Sequence, residues 1–116
     1  MELKILFRGW SSRNKEWIYG TPCYSESGGS FIYEDSLIFM AIEVDKGSIQ
    51  QFTGKVDKAG IKIYLGDINE ESAEVIWNND DASFNWLYPD GDMHPMELEE
   101  EWCNIVSNKF ELNNQP

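Results

Sequence analysis

The chain carries one histidine, two cysteines and only nine basic side chains, and each scarcity closes off a class of function. With His94 alone, neither a histidine-pair zinc site nor a histidine-rich metal site can form. Cys23 and Cys103 make no Cys-x-x-Cys pair and lie far apart, so two reduced, partly buried thiols are expected rather than a disulfide. Nine Lys/Arg against 21 Asp/Glu leave a net charge of −12. Residues 53–116 hold only Lys55, Lys58, Lys62 and Lys109 against 14 acids, a net of −10, whereas residues 1–52 are close to neutral at −2. A protein that grips nucleic acid neutralises several phosphates with Lys/Arg, so direct nucleic-acid binding is not expected. No stretch approaches the roughly 20 apolar residues of a membrane span. Met1 to Arg13 has charges through its apolar run and no cleavage site, which argues against a signal peptide. A cytoplasmic protein without a membrane partner is the expectation.

Catalytic motifs are also lacking. There is no G-x-S-x-G elbow, no phosphate-binding P-loop and no G-x-G-x-x-G. Ser27-Gly28-Gly29-Ser30 is glycine-rich but has no lysine and no following helix, so it reads as a loop. Asp80-Asp81, Asp90-x-Asp92 and His94 do not have the spacing of a calcium loop, which needs six to eight oxygens in a shaped turn. Nothing orients either cysteine toward His94, and Cys103 falls in an apolar segment where a thiol is inert. Neither an enzyme nor a cofactor is expected.

What the sequence does hold is 41% hydrophobic residues and five tryptophans in 116 positions, enough for one unstapled domain. Alternation marks Leu3-Ile5-Phe7 and Glu16 to Tyr19 as a hairpin around the polar turn Ser11 to Lys15. Tyr24 to Ser30 is a loop. Phe31 to Tyr33 and Leu37 to Met40 are short strands. Ser48 to Phe52 is a strand that breaks at Thr53-Gly54, before a tight turn at Lys58-Ala59-Gly60. Leu65 to Ile68 forms a kinked entry into a further strand. Ala73 to Trp77 and Ala82 to Tyr88 make a hairpin around Asn78 to Asp81. Pro95 to Glu101 suits one or two helical turns, and Cys103 to Phe110 closes the chain as a strand. About seven strands and at most one short helix define a mostly β protein.

Two groups of residues stand out. Phe84, Trp86 and Tyr88 share one face of their strand, with Trp77 and Trp102 able to join them. Such a stripe fills the core of a small β protein, or, if exposed, marks a protein interface that can join two copies of the chain. Asp67 is the polar residue amid an apolar entry. Its chemistry suits either a ligand or base, or a side-chain bond to nearby backbone amides that fixes the bend after Gly66.

The ordered series Gln51-Phe52-Thr53-Gly54, Asp57-Lys58-Ala59-Gly60 and Ile63-Tyr64-Leu65-Gly66-Asp67-Ile68 resembles the YopX-like proteins of bacterial prophages. The opening Ile5 to Trp10, with Trp17 to Gly20, is similar to the start of that family. Cys103 to Glu111 is similar to its closing V-I-G-N-I-Y-E strand, with Ser107 where the family usually has glycine. The resemblance runs over nearly the whole chain. It implies an SH3-type β-barrel over residues 48–112, an N-terminal β segment over 1–47 forming one unit with it, and a tail at 113–116. It also implies a phage or prophage origin. It carries over no catalytic or binding residues. The functional expectation is a non-catalytic protein-interaction module, self-association included. The alternative is an acidic decoy that mimics nucleic acid and occupies a host DNA-binding protein.

Overall fold

The computed structural model describes residues 6–34, 41–96 and 103–113. The chain divides into two units, Met1–Phe52 and Thr53–Pro116. The first unit holds β1 (Phe7–Ser11), β2 (Glu16–Tyr24), β3 (Ser30–Glu34), β4 (Ala41–Val44) and the start of β5 (Gln50–Val56). They lie antiparallel in the order β4-β3-β2-β1-β5. Gly20 sits opposite both Phe7 and Glu34, so β2 pairs with β1 along its first half and with β3 along its second. Period-two alternation then sorts the side chains. Ile18, Ile32 and Val44 are buried together on one face, with Ile42 and Ile49 packed against them. Each such aliphatic is worth roughly 1.5–3 kcal/mol when removed from water. Gly9 has no room for a side chain, because a Cβ there would stand 2.8 Å from Val44 Cγ2.

The second unit continues β5 and adds β6 (Lys62–Tyr64), β7 (Asp67–Asn69), β8 (Glu74–Asn78), β9 (Ser83–Leu87), β10 (Met93–Pro95) and β11 (Ile105–Asn108). A five-residue helix, α1 (Lys109–Asn113), follows. β6 neighbours β5, and the other five strands form a sheet in the order β10-β9-β8-β7-β11. Its core gathers Ile63, Ala73, Val75, Trp86, Met96 and Cys103, with Leu65, Phe84, Tyr88 and Ile105 against them. Cys23 and Cys103 are free thiols, half-buried and buried.

The mostly β expectation holds, as two antiparallel sheets, and no closed barrel is found among the described residues. Eleven strands are present among them instead of about seven, because several are only three or four residues long. No break occurs at Thr53-Gly54. Gly54 adopts φ 90° inside β5, and Thr53 Oγ1 donates to the Ile63 carbonyl over 2.8 Å while accepting the Lys55 amide, which carries the strand through. β1 runs on through Gly9, Trp10 and Ser11, so the turn begins at Ser12. The closing segment is not strand to its end. Asn108 accepts the Phe110 amide on Oδ1 at 2.8 Å, the contact of an N-cap, and starts α1 at Lys109. Pro95 belongs to β10 and Met96 follows it outside any helix, residues 97–101 of that expected helix lie outside the described residues, and so does the expected Leu37–Met40 strand.

Candidate interaction surface

The signature residues build the scaffold on which any surface must stand. Asp57 Oδ1 accepts the Ala59 and Ile61 amides at 2.9 Å each, which shapes the turn through Gly60 at φ 82°. Its Oδ2 accepts the Ile105 amide at 2.9 Å, tying that turn to β11 across 48 positions. Asp67 is 2% exposed and accepts the Tyr64 amide on Oδ2 and Asn108 Nδ2 on Oδ1, both at 2.8 Å. Gly66, at φ 92°, donates its amide to the Val75 carbonyl at 3.0 Å. Ile63 and Tyr64 are buried. Carboxylates so occupied by backbone amides are turn-forming groups.

The aromatic stripe divides. Trp86 is 2% exposed in the core, and Phe84 and Tyr88 are packed against that core. Trp77, opposite Phe84 in the β8–β9 register and edge-on to it at 5.1 Å, is 46% exposed. Trp102 lies outside the described residues. Tyr88 meets the exposed His94 ring edge-on at 5.4 Å. Among the described residues no three His, Cys, Asp or Glu side chains gather into a metal-holding group.

A second aromatic row, on the first unit, escaped the sequence reading. Trp10 stands opposite Trp17, and Arg8 opposite Tyr19, so these four share the sheet face away from Ile18. The two indoles meet edge-on at 5.4 Å. Arg8 Cζ sits 4.0 Å from the Trp17 ring centroid, and its Nε donates to Gln50 Oε1 at 3.1 Å. Arg8 and Trp10 thus both meet Trp17 across the strand pair, and Gly9 between them in the chain leaves space for Val44 on the other face.

A groove of about 750 Å³ runs along β4 in the first unit. Its walls come from the β1–β2 turn, the β2–β3 turn and the strand itself. Ser12 fixes the two ends together, donating its amide at 3.2 Å and its hydroxyl at 2.8 Å to Asp45 Oδ1. Asp45 donates its own amide to the Trp10 carbonyl at 2.7 Å. β4 is the outermost strand of its sheet, and among the described residues no strand pairs with its outer edge. Arg13 and Lys46 line the groove, and no ion-pair partner is found for either among the described residues. The sequence reading saw Ser11 to Lys15 only as a turn and gave no role to Ala41 to Val44. The alternation Ala-Ile-Glu-Val was the available signal for a strand with one exposed face.

A family model described as YopX protein matches residues 6–114. The chain belongs to the YopX family. The match includes both the Asp57 and Asp67 turns and the β4 groove. No curated protein matches the chain. Among the described residues of this YopX-family chain, no helix is long and apolar enough to cross a membrane.

Proposed function

We propose that the chain is a non-catalytic protein-interaction module of phage or prophage origin, acting in the cytoplasm and binding through the edge of β4. The observation that supports this most is the unpaired edge opening onto a groove. A strand edge presents a row of backbone donors and acceptors, and proteins ordinarily blunt such edges unless they use them. The other outer strands are short or blunted: β6 has three residues, and its Tyr64 amide is taken by Asp67. β10 has three residues and ends in Pro95, which has no donor. In β11 the Ile105 amide is taken by Asp57, and the ladder to β7 is irregular between Ile105 and Ser107. An SH3-type barrel for the C-terminal part belongs to the same proposal, supported by the five-stranded antiparallel order around one apolar core.

The decoy reading has less behind it. Mimicry of nucleic acid needs acids in rows spaced like phosphates, a few ångströms apart along each strand. The exposed acids Asp80-Asp81 and Asp90-Asp92 instead stand beyond opposite ends of β9, a five-residue strand spanning roughly 17 Å.

The test is capture of partners from host lysate with three tethered chains: wild type, Glu43→Pro and Glu43→Ala. The Asp45 amide points to Trp10, so alternation turns the Glu43 amide outward as well. Proline at 43 therefore deletes an edge donor and spares the ladder to β3, while alanine controls for the lost charge. The proposal expects a partner, identified and then rebound as a pure protein, that wild type and Glu43→Ala hold and Glu43→Pro loses. Equal capture by all three, or none by any, overturns it.

A further inference from the structure

We propose that β4 receives an extended segment of a partner protein as an added strand, and that a carboxylate of that segment is held by Arg13 and Lys46. This rests on the reading of the β4 edge as the binding site, and it names what binds there.

The backbone sets the mode. With the Asp45 amide directed to Trp10, alternation turns the N–H and C=O groups of Glu43 and Ala41 away from β3, toward the groove, while those of Ile42 and Val44 face β3. The side chains alternate on the same period, with Ala41 and Glu43 exposed and Val44 buried. Two such residues, two positions apart and met by no strand among the described residues, match the repeat of an incoming strand. The groove of about 750 Å³ is room for several extended residues and their alternate side chains.

Charge selects the occupant. The chain carries −12 overall, yet this groove is lined by two cations and two acids. Asp45 accepts both Ser12 donors on Oδ1, but these are neutral, so the C-terminal end of β4 sets two cations against one acid. Arg13 follows Ser12, and Lys46 follows Asp45, so the same bonds that join the two turns bring these cations to the C-terminal end of β4. Glu43, exposed midway along the strand, repels an acid there but not one at the end. The complement is a β-rich segment that is uncharged beside Glu43 and acidic beside Val44.

The probe is a pooled library of seven-residue peptides, with Val, Ile and Thr alternating in the middle and Asp, Glu, Ser or Lys at either end, selected on the full-length chain. We expect enrichment of an acid at one end only. The best acidic peptide should bind about fivefold tighter than its lysine twin, in the range of a partly exposed ion pair, and the gap should narrow with salt. Arg13→Glu with Lys46→Glu should invert the preference, Glu43→Pro should abolish binding, and hydrogen exchange should slow at Ala41 and Glu43. No enrichment, enrichment without an acid, or a preference indifferent to the double charge swap overturns the inference. If lysate capture still depends on Glu43→Pro in those cases, the β4 site stands and only its assigned occupant fails. If capture is also lost for wild type, the site itself fails.

Discussion

Asn108, at the end of β11, donates Nδ2 to Asp67 Oδ1 at the start of β7 over 2.8 Å, and both side chains are 2% exposed. The two residues face each other in the register of the strands they join. Asp67 also accepts the Tyr64 amide, and Asn108 also caps α1, so one buried contact coordinates a turn, a strand pair and a helix start.

Removing either partner orphans the other. Asp67→Ala and Asn108→Ala should each cost about 1–3 kcal/mol, the penalty of a buried polar group left unpaired, with Asp67→Ala the larger because it strands two donors. The double variant should cost less than the two together. Urea unfolding of the four chains measures this, and strict additivity would show that the contact carries no shared energy.

Asp57 gives a prediction resolved by position. Asp57→Asn retains an oxygen for the Ala59 and Ile61 amides when its NH₂ takes the Oδ2 place, but then opposes a donor to the Ile105 amide. Native-state hydrogen exchange should therefore quicken at Ile105 by roughly tenfold or more while Ile61 stays near its wild-type rate. Equal change at both amides would mean that the carboxylate acts as one unit. Asp57→Ala should quicken both.

Gly66 holds φ 92°, a region closed in practice to β-branched side chains. Gly66→Val should destabilise by about 1–3 kcal/mol, seen as a fall of several degrees in melting temperature. Gly54, at φ 90° with nothing within 4 Å of an added Cβ, isolates the conformational cost from crowding, so Gly54→Ala should lose about 1 kcal/mol. An unchanged melting temperature for Gly66→Val would count against the bend.

How far the sequence was legible follows from which of these features are local. The turns at Asp57–Gly60 and Gly66–Asp67 were readable because glycine and aspartate act on their immediate neighbours. The Phe84-Trp86-Tyr88 face was readable by alternation, yet alternation does not say which members meet water. Trp86 is core and Trp77, on the same face, is exposed because the burial fades along the strand pair. Asn108 ends β11 as a strand residue, and only its bond to the Phe110 amide shows that it also starts a helix. Thr53-Gly54 reads as a break because the Ile63 carbonyl that sustains it is ten residues away. The β4 edge was beyond reach. Whether a strand is outermost depends on the order of the whole sheet, and Arg13 and Lys46 become neighbours only through the Ser12–Asp45 bonds, 33 positions apart.

The final prediction concerns polyanions and self-association. Duplex DNA and RNA should show no gel shift at physiological salt. Residues 53–116 carry −10, so approach to a phosphate backbone is repulsive before any contact forms, and four lysines against 14 acids leave little counterion release to offset it. The remaining basic groups do not reverse this. Arg8 is buried over Trp17 and bonded to Gln50, which leaves Arg13, Lys15 and Lys46 as the described cations of the first unit. Three surface cations suit a carboxylate or two, not a tract of phosphates. Two copies of the chain face the same repulsion. Any self-association must therefore rest on apolar and backbone contacts, for which the β4 edge and exposed side chains such as Tyr19, Tyr24, Ile61, Trp77 and Val106 are sources. It should tighten as salt screens the acids, the opposite of what a charge-driven complex does. Light scattering at low and high salt, run beside the gel-shift titration, separates the cases. A DNA shift that weakens steeply with salt would overturn the first expectation, and self-association that loosens as salt rises would overturn the second.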